Sequence, residues 1–318
     1  MPTENQKIVP EALAGARLDA AVRALYETTW GRARELVARG KISVDGDTTT
    51  DPGARVAAGG TVALRMDAPR QKKENDLDPR AIVHLDEWIV VVVKPAGMST
   101  VPFEGRDPDT LDNRLRGLLA RLDPDNRARR GARPALGVVH RLDRGTSGLL
   151  VFARTFAAKE KLAVQFRAHT AHRRYTALVH GLVETGTLAS HLVVDRGDGL
   201  RGSLEAAPRR RKGSSSQGKR AVTHVEVVEV LRGATLVACR LETGRTHQIR
   251  IHLGEAGHPI VGERVYVRDY AGPIIEAPRP MLHAAELGFV HPQTGADMRF
   301  EAPLPADMKE LIRRLRGR

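Results

Sequence analysis

The chain has 318 residues, enough for one sizeable core plus a small accessory module. Its 51 lysines and arginines against 38 acids give a net charge of +13, which favours a polyanionic partner, nucleic acid first and an anionic membrane surface second. One cysteine, Cys239, excludes an internal disulfide and a cysteine-rich zinc site and fits a reducing, cytoplasmic setting. The longest apolar run, Trp88 to Val93, is far short of a membrane-spanning helix, and residues 1–5 carry no signal pattern.

Ala16 to Leu64 form a small separate pattern. A helix beginning at Arg17 puts Leu18, Val22 and Leu25 on one face. A second, Gly31 to Ala38, carries Arg32 and Arg34, with Arg39 just beyond and Gly40 stopping it. Lys41 to Val44 reads as a strand, Asp45-Gly46 as a hairpin turn, and Val62 to Leu64 as a second strand. Arg70 to Arg80 is polar and charged, so the expected division is a domain over 1–69, a linker over 70–80 and a larger domain over 81–318.

In the larger domain, Trp88 to Val93 is a β-branched run and reads as a central strand ended by Pro95. No Gly-x-Gly-x-x-Gly or Walker pattern follows, so no nucleotide cofactor is expected. Thr110 to Leu122 is a helix with Leu111, Leu115, Leu118, Leu119 and Leu122 inward. Then comes Gly137-Val-Val-His-Arg-Leu-Asp-Arg-Gly-Thr-Ser-Gly148, leading into an apolar strand. It sets one carboxylate, Asp143, between two arginines, with Gly145 and Gly148 able to supply the positive φ of a tight turn. Locally this is also what a surface ion pair in a turn looks like. Thr155 to Ala168 is a helix with Ala158, Leu162 and Phe166 inward, and Arg173 to Gly181 alternates as a strand. Pro208 to Arg220, with six basic residues and no acid, cannot pack a core and reads as a mobile basic loop. Val222 to Val230 and Ala234 to Leu241 form a hairpin turning at Arg232-Gly233. Thr243-Gly-Arg-Thr-His-Gln-Ile-Arg-Ile-His-Leu253 follows, with Ile249, Leu253 and Ala256 on a short helical face. His247 and His252, five apart, lie on different helix faces, so no metal site is expected. A last helix runs from Pro305 to Arg316 with Met308, Leu311, Ile312 and Leu315 inward.

Several of these blocks, in this order, resemble the RluA family of pseudouridine synthases. They are Lys94-Pro-Ala-Gly97, His140-Arg-Leu-Asp143 with Thr146-Ser-Gly148, Arg174-Tyr-Thr-Ala-Leu-Val-His-Gly181 with Arg174 at the family's basic position, Gly244-Arg-Thr-His-Gln-Ile-Arg250, Gly257-His-Pro-Ile-Val-Gly262 and Arg279-Pro-Met-Leu-His283. Glu263 to Val267 departs from the family's usual Gly-Asp-x-x-Tyr-Gly. The resemblance covers Asp86 to the end and implies an α+β fold with a mixed, mostly antiparallel central sheet. It implies Asp143 as the catalytic aspartate, Arg250 as its partner, Tyr175 as the ring stacked on the target base, Leu282 as the apolar wall, and Arg141 as the group filling the space of the flipped base. The N-terminal pattern resembles the small α/β RNA-binding domain of a ribosomal small-subunit protein, which makes Arg32, Arg34, Arg39 and Lys41 candidate RNA contacts.

Pseudouridine formation breaks the ribose bond to uracil N1, turns the base and rejoins it through carbon 5. That chemistry needs a carboxylate near the anomeric carbon, a cation to keep it ionised, a flat apolar cradle and an extruded nucleotide. It needs no cofactor. The expected activity is isomerisation of uridine in structured RNA, ribosomal RNA first and transfer RNA second, by a monomer. A non-catalytic RNA-binding protein is disfavoured by the full set Asp143, Tyr175 and Arg250, and a glycosidase by the lack of a second site carboxylate.

Overall fold

The computed structural model describes residues 5–66, 68, 77–102, 109–122, 135–196, 199–206 and 218–317. The chain divides into two compact units, Met1–Asp76 and Leu77–Arg318. Most of the expected linker, residues 70–76, and most of the basic loop, residues 208–217, lie outside the described residues. Residues 77–80 belong to the second unit, where Leu77 is buried in the main core.

The first unit holds β1 (Asn5–Ile8), α1 (Leu18–Leu25), α2 (Trp30–Ala38), β2 (Ile42–Val44), β3 (Asp47–Thr48) and β4 (Thr61–Leu64). The strands form an antiparallel sheet in the order β1-β4-β2-β3. Leu18, Ala21 and Val22 of α1 and Ala33, Leu36 and Val37 of α2 pack on Ile42 and Val62. Thr29 caps α2 by accepting the Arg32 N–H at 3.3 Å. Asp45 and Gly46 both have positive φ, as a two-residue hairpin turn requires.

The second unit contains β5 (Ile82–Leu85), β6 (Ile89–Lys94), α3 (Leu111–Leu122), β7 (Gly137–Val138), β8 (Ser147–Ala153), α4 (Phe156–Arg167), β9 (His172–His180), β10 (Gly186–Val193) and β11 (Gly202–Ser203). It continues with β12 (Lys219–Leu231), β13 (Ala234–Leu241), α5 (Gln248–Glu255), β14 (Leu282–Val290), β15 (Asp297–Glu301) and α6 (Ala306–Arg316). Its strands form one 11-stranded sheet ordered β11-β10-β12-β13-β9-β14-β8-β6-β5, with β15 on β14 and β7 on β8. The pairing is antiparallel except between β8 and β14, so the fold is α+β with a mixed, mostly antiparallel sheet.

β6 shows why its sequence is a continuous β-branched run. Val90 and Val92 pack on one face with Leu111, Leu115 and Leu118 of α3, while Ile89 and Val91 pack on the other with Ala158 and Leu162 of α4. Both faces are covered, so no alternation with polar residues is needed. Two expected core positions are solvent-facing. Leu122, the last described residue of α3, is exposed. Ala256 is the exposed C-cap of α5, and Ile251, on the helix's other side, is fully buried against Leu192 and Ala221.

Candidate active site

The loop before β8 is fixed from several directions. The Thr100 hydroxyl donates to the Leu142 carbonyl at 2.9 Å and accepts the Leu142 N–H at 3.1 Å. Gly97 N–H donates to the Arg144 carbonyl, and Arg144 Nε returns a bond to the Gly97 carbonyl, each at 2.8 Å. Lys94, fully buried at the end of β6, donates from Nζ to the carbonyls of Pro95 (3.0 Å), Met98 (2.8 Å) and Arg144 (3.3 Å). Burial pushes the Lys94 pKa down to about 7, against the pull of the Asp143 charge. Gly148 has φ 117°, and a Cβ there would stand 2.2 Å from the Ala284 carbonyl oxygen, so the close parallel approach of β8 and β14 demands glycine. Gly145 does not adopt positive φ; its space is closed by Pro280 instead.

The loop lines a cleft of about 630 Å³. Asp143, Arg141, Tyr175, Arg250 and Leu282 all border it. Arg250 Nη1 lies 3.5 Å from Asp143 Oδ2. The other edge of Arg250 is held by Glu263, with Nε to Oε2 at 2.7 Å and Nη2 to Oε1 at 2.9 Å. Glu263 has no exposed side-chain surface and accepts the Arg264 and Val265 N–H groups, both at 2.9 Å. Burial works against the Arg250 charge, but the Glu263 bonds and the Asp143 charge outweigh it and raise its pKa. The departure at Glu263 therefore still supplies a carboxylate, and it clamps Arg250 through two parallel bonds. Burial pushes the Tyr175 pKa up to about 12, with the Asp143 charge adding to it, so the phenol stays protonated.

Several residues of the site were not singled out in sequence. His247, the N-cap of α5, sits in the left-handed region at φ 59°. Its Nε2 lies 3.8 Å from Asp143 Oδ2, and its Nδ1 bonds the Tyr266 hydroxyl at 2.8 Å. Burial depresses the His247 pKa against the opposing pull of Asp143. His252 faces away and bonds Ser190 and Thr223. On β9 the basic residue that borders the cleft is Arg173; Arg174 points to the opposite face and pairs with Glu286 at 2.9 Å and Glu226 at 3.4 Å. Strand alternation alone carried that signal, since 173 and 175 share a face.

In the N-terminal unit Arg32 and Arg39 both pair with Glu35, at 3.0 and 2.6 Å. Arg34 pairs with buried Asp19 at 3.2 Å and lies over Trp30, and Lys41 Nζ donates to the Met66 and Ala68 carbonyls.

One cleft thus gathers an aspartate–arginine pair, a tyrosine and a leucine beside a mixed, mostly antiparallel sheet. The family profile described as RNA pseudouridylate synthase matches residues 88–255, and the chain belongs to that family of RNA isomerases. It is 37% identical to "Ribosomal large subunit pseudouridine synthase D" of Zymomonas mobilis over 99% of this chain and 98% of that one. It is 38% identical to an uncharacterised RNA pseudouridine synthase of Bacillus subtilis over 91% of each. Human RNA pseudouridylate synthase domain containing 4 shares the fold, with a TM-score of 0.59 at 22% identity over 74% of this chain and 93% of that one. Among the described residues no helix is long and apolar enough to cross a membrane.

Proposed function

We propose that this chain converts uridine to pseudouridine in large-subunit ribosomal RNA, in the cytoplasm and as a single chain. The observation that carries the reading is the Asp143–Arg250 pair at 3.5 Å, bordering one cleft with Tyr175 and Leu282. In this reading Asp143 acts at the anomeric carbon, by direct attack or by removing a proton on the way to a glycal. The bond from ribose to N1 breaks, the base turns, the bond to carbon 5 forms, and the carbon 5 proton leaves as N1 gains one. Arg250 keeps Asp143 charged and aimed. Tyr175, a neutral phenol, stacks on the detached base, and Leu282 forms the opposite wall. Arg141, exposed at the rim, enters the space left by the extruded nucleotide.

The ribosomal substrate is supported by near full-length similarity to the Zymomonas mobilis synthase. Arg32 and Arg39 would exchange their exposed partner Glu35 for RNA phosphates, and such surface pairs are worth little, so that exchange is cheap; Arg34 would leave buried Asp19 to Arg17, and Lys41 would leave two backbone carbonyls.

The test is tritium release from RNA labelled at uracil carbon 5. Wild type should release tritium from a large-subunit ribosomal transcript and not from transfer RNA. Asp143→Asn should release none while binding the transcript within a few-fold of wild type. Release by Asp143→Asn would remove the aspartate from the chemistry, and release from transfer RNA alone would replace the substrate.

A further inference from the structure

Arg173 is an arginine whose charge the described protein leaves unanswered. It is 8% exposed, yet its Nε and Nη2 atoms are buried without a hydrogen-bond partner, the only such side-chain atoms among the described residues. Arg250, Arg279 and Arg174, by contrast, are each bound by a carboxylate. A desolvated guanidinium with open donors is among the costliest groups a fold can retain, and such a group is expected to have a partner. Its position is also held closely. Its guanidinium lies over the Phe166 ring at 5.9 Å, and a Cβ at residue 244 would stand 2.6 Å from its Nη1, so Gly244 makes room for it.

The surroundings name the missing partner. Arg173 borders the cleft together with Arg141, Arg167, Arg245 and His169, and among the described residues the single carboxylate lining that cleft, Asp143, is already paired with Arg250. An anion must therefore come from outside. Arg173 and Tyr175 project from the same face of β9, two residues and roughly 7 Å apart along the strand. That is about the reach from a nucleotide's base to a phosphate beside its own ribose.

We propose that Arg173 binds the RNA phosphate flanking the target nucleotide and so holds the ribose against Asp143. It is a positioning residue, and the proposal rests on the synthase reading above. A planar fork of donors meeting a phosphate edge gives direction as well as affinity.

The experiment compares wild type with Arg173→Met, similar in length but uncharged, and Arg173→Lys. It uses the ribosomal transcript on which the wild type releases tritium. Arg173→Met should melt no lower than wild type, because it removes an unpaired buried charge. Its KM should rise at least tenfold, and the slope of log affinity against log salt should shrink by roughly 0.7–0.9, the share of one phosphate. A neutral methylphosphonate placed on either side of the converted uridine should weaken wild-type binding at one of the two positions and cost Arg173→Met nothing further there. Arg173→Lys, which keeps the charge but not the fork, should retain the salt slope with a raised KM. Unchanged KM and slope in a folded Arg173→Met, or no methylphosphonate penalty at either position in wild type, would overturn the proposal. Absence of tritium release by wild type would instead overturn the synthase reading.

Discussion

Arg250 holds two carboxylates at once. One edge faces Asp143, the carboxylate proposed above to react, and the other is locked to a carboxylate that has no exposed surface. Replacing Arg250 with methionine would leave Glu263 charged, buried and supported only by two backbone N–H groups. Removing one partner of such a pair costs about 3–5 kcal/mol, so Arg250→Met should lower the denaturation midpoint as well as abolish turnover. Asp143→Asn, which leaves the Arg250–Glu263 pair intact, should melt near wild type; equal melting of all three proteins would mean the pair is not structural. At this scale the sequence was legible where a motif names a pair, as for Asp143 and Arg250, which lie 3.5 Å apart. It gave no role to Glu263, Lys94 or Arg173, and weighed His247 only as a metal ligand. Each acquires its role from a partner or a burial that spacing along the chain does not encode.

Among the elements, hairpins and doubly covered strands were readable, because Arg232-Gly233 and the run at β6 write their geometry locally. β10 and β14 were not anticipated as strands. Gly186–Val193 and Leu282–Val290 mix small, polar and charged residues, and it is their neighbours in the sheet that make them strands. The contact of β8 with β14 depends on one missing side chain. Gly148→Ala would combine a disfavoured φ with a clash against backbone at Ala284, and it should cost at least about 2 kcal/mol in a urea titration and reduce activity with it. Wild-type stability in that variant would mean the two strands can part without loss. For α2 the expected outcome concerns RNA. Arg32→Gln combined with Arg39→Gln leaves the helix core untouched, since both arginines pair with exposed Glu35. If both meet phosphates, the salt slope should fall by roughly 1.4–1.8; an unchanged slope would mean this face is merely solvated.

The molecule as a whole should be acid-sensitive for a reason beyond its carboxylates. His140 accepts the Val151 N–H on Nε2 at 3.1 Å and stacks on Phe166, a geometry that requires the neutral ring. Burial, with the Arg173 charge, pushes its pKa down to about 3, and burial pushes that of His252 down to about 4. Unfolded, both titrate near 6.5, so the unfolded chain takes up protons first as pH falls. Their contribution to stability is whole above about pH 6.5 and declines from there toward pH 4, before the depressed carboxylates such as Glu263 begin to protonate. Unfolding free energy should therefore be lower at about pH 5 than at about pH 7.5, and His140→Gln should flatten the difference. A pH-independent stability over that interval would contradict the burial of these rings. The sequence offers a charged stretch between two apolar patterns, but not the size of the larger sheet, because it is assembled from segments far apart in the chain.

The parallel contact of β8 with β14 also sets a clock on biosynthesis. Ser147 and His283, which bond at 2.9 Å across it, are separated by 136 positions. At about 5–20 residues per second, roughly 7–27 s pass between the emergence of one partner and the other. During that interval the aspartate loop can be held only from its β6 side, and the open edge of β8 is free to pair wrongly. A chain halted before residue 282 lacks the parallel neighbour of β8, and a chaperone over that edge would keep it from pairing wrongly.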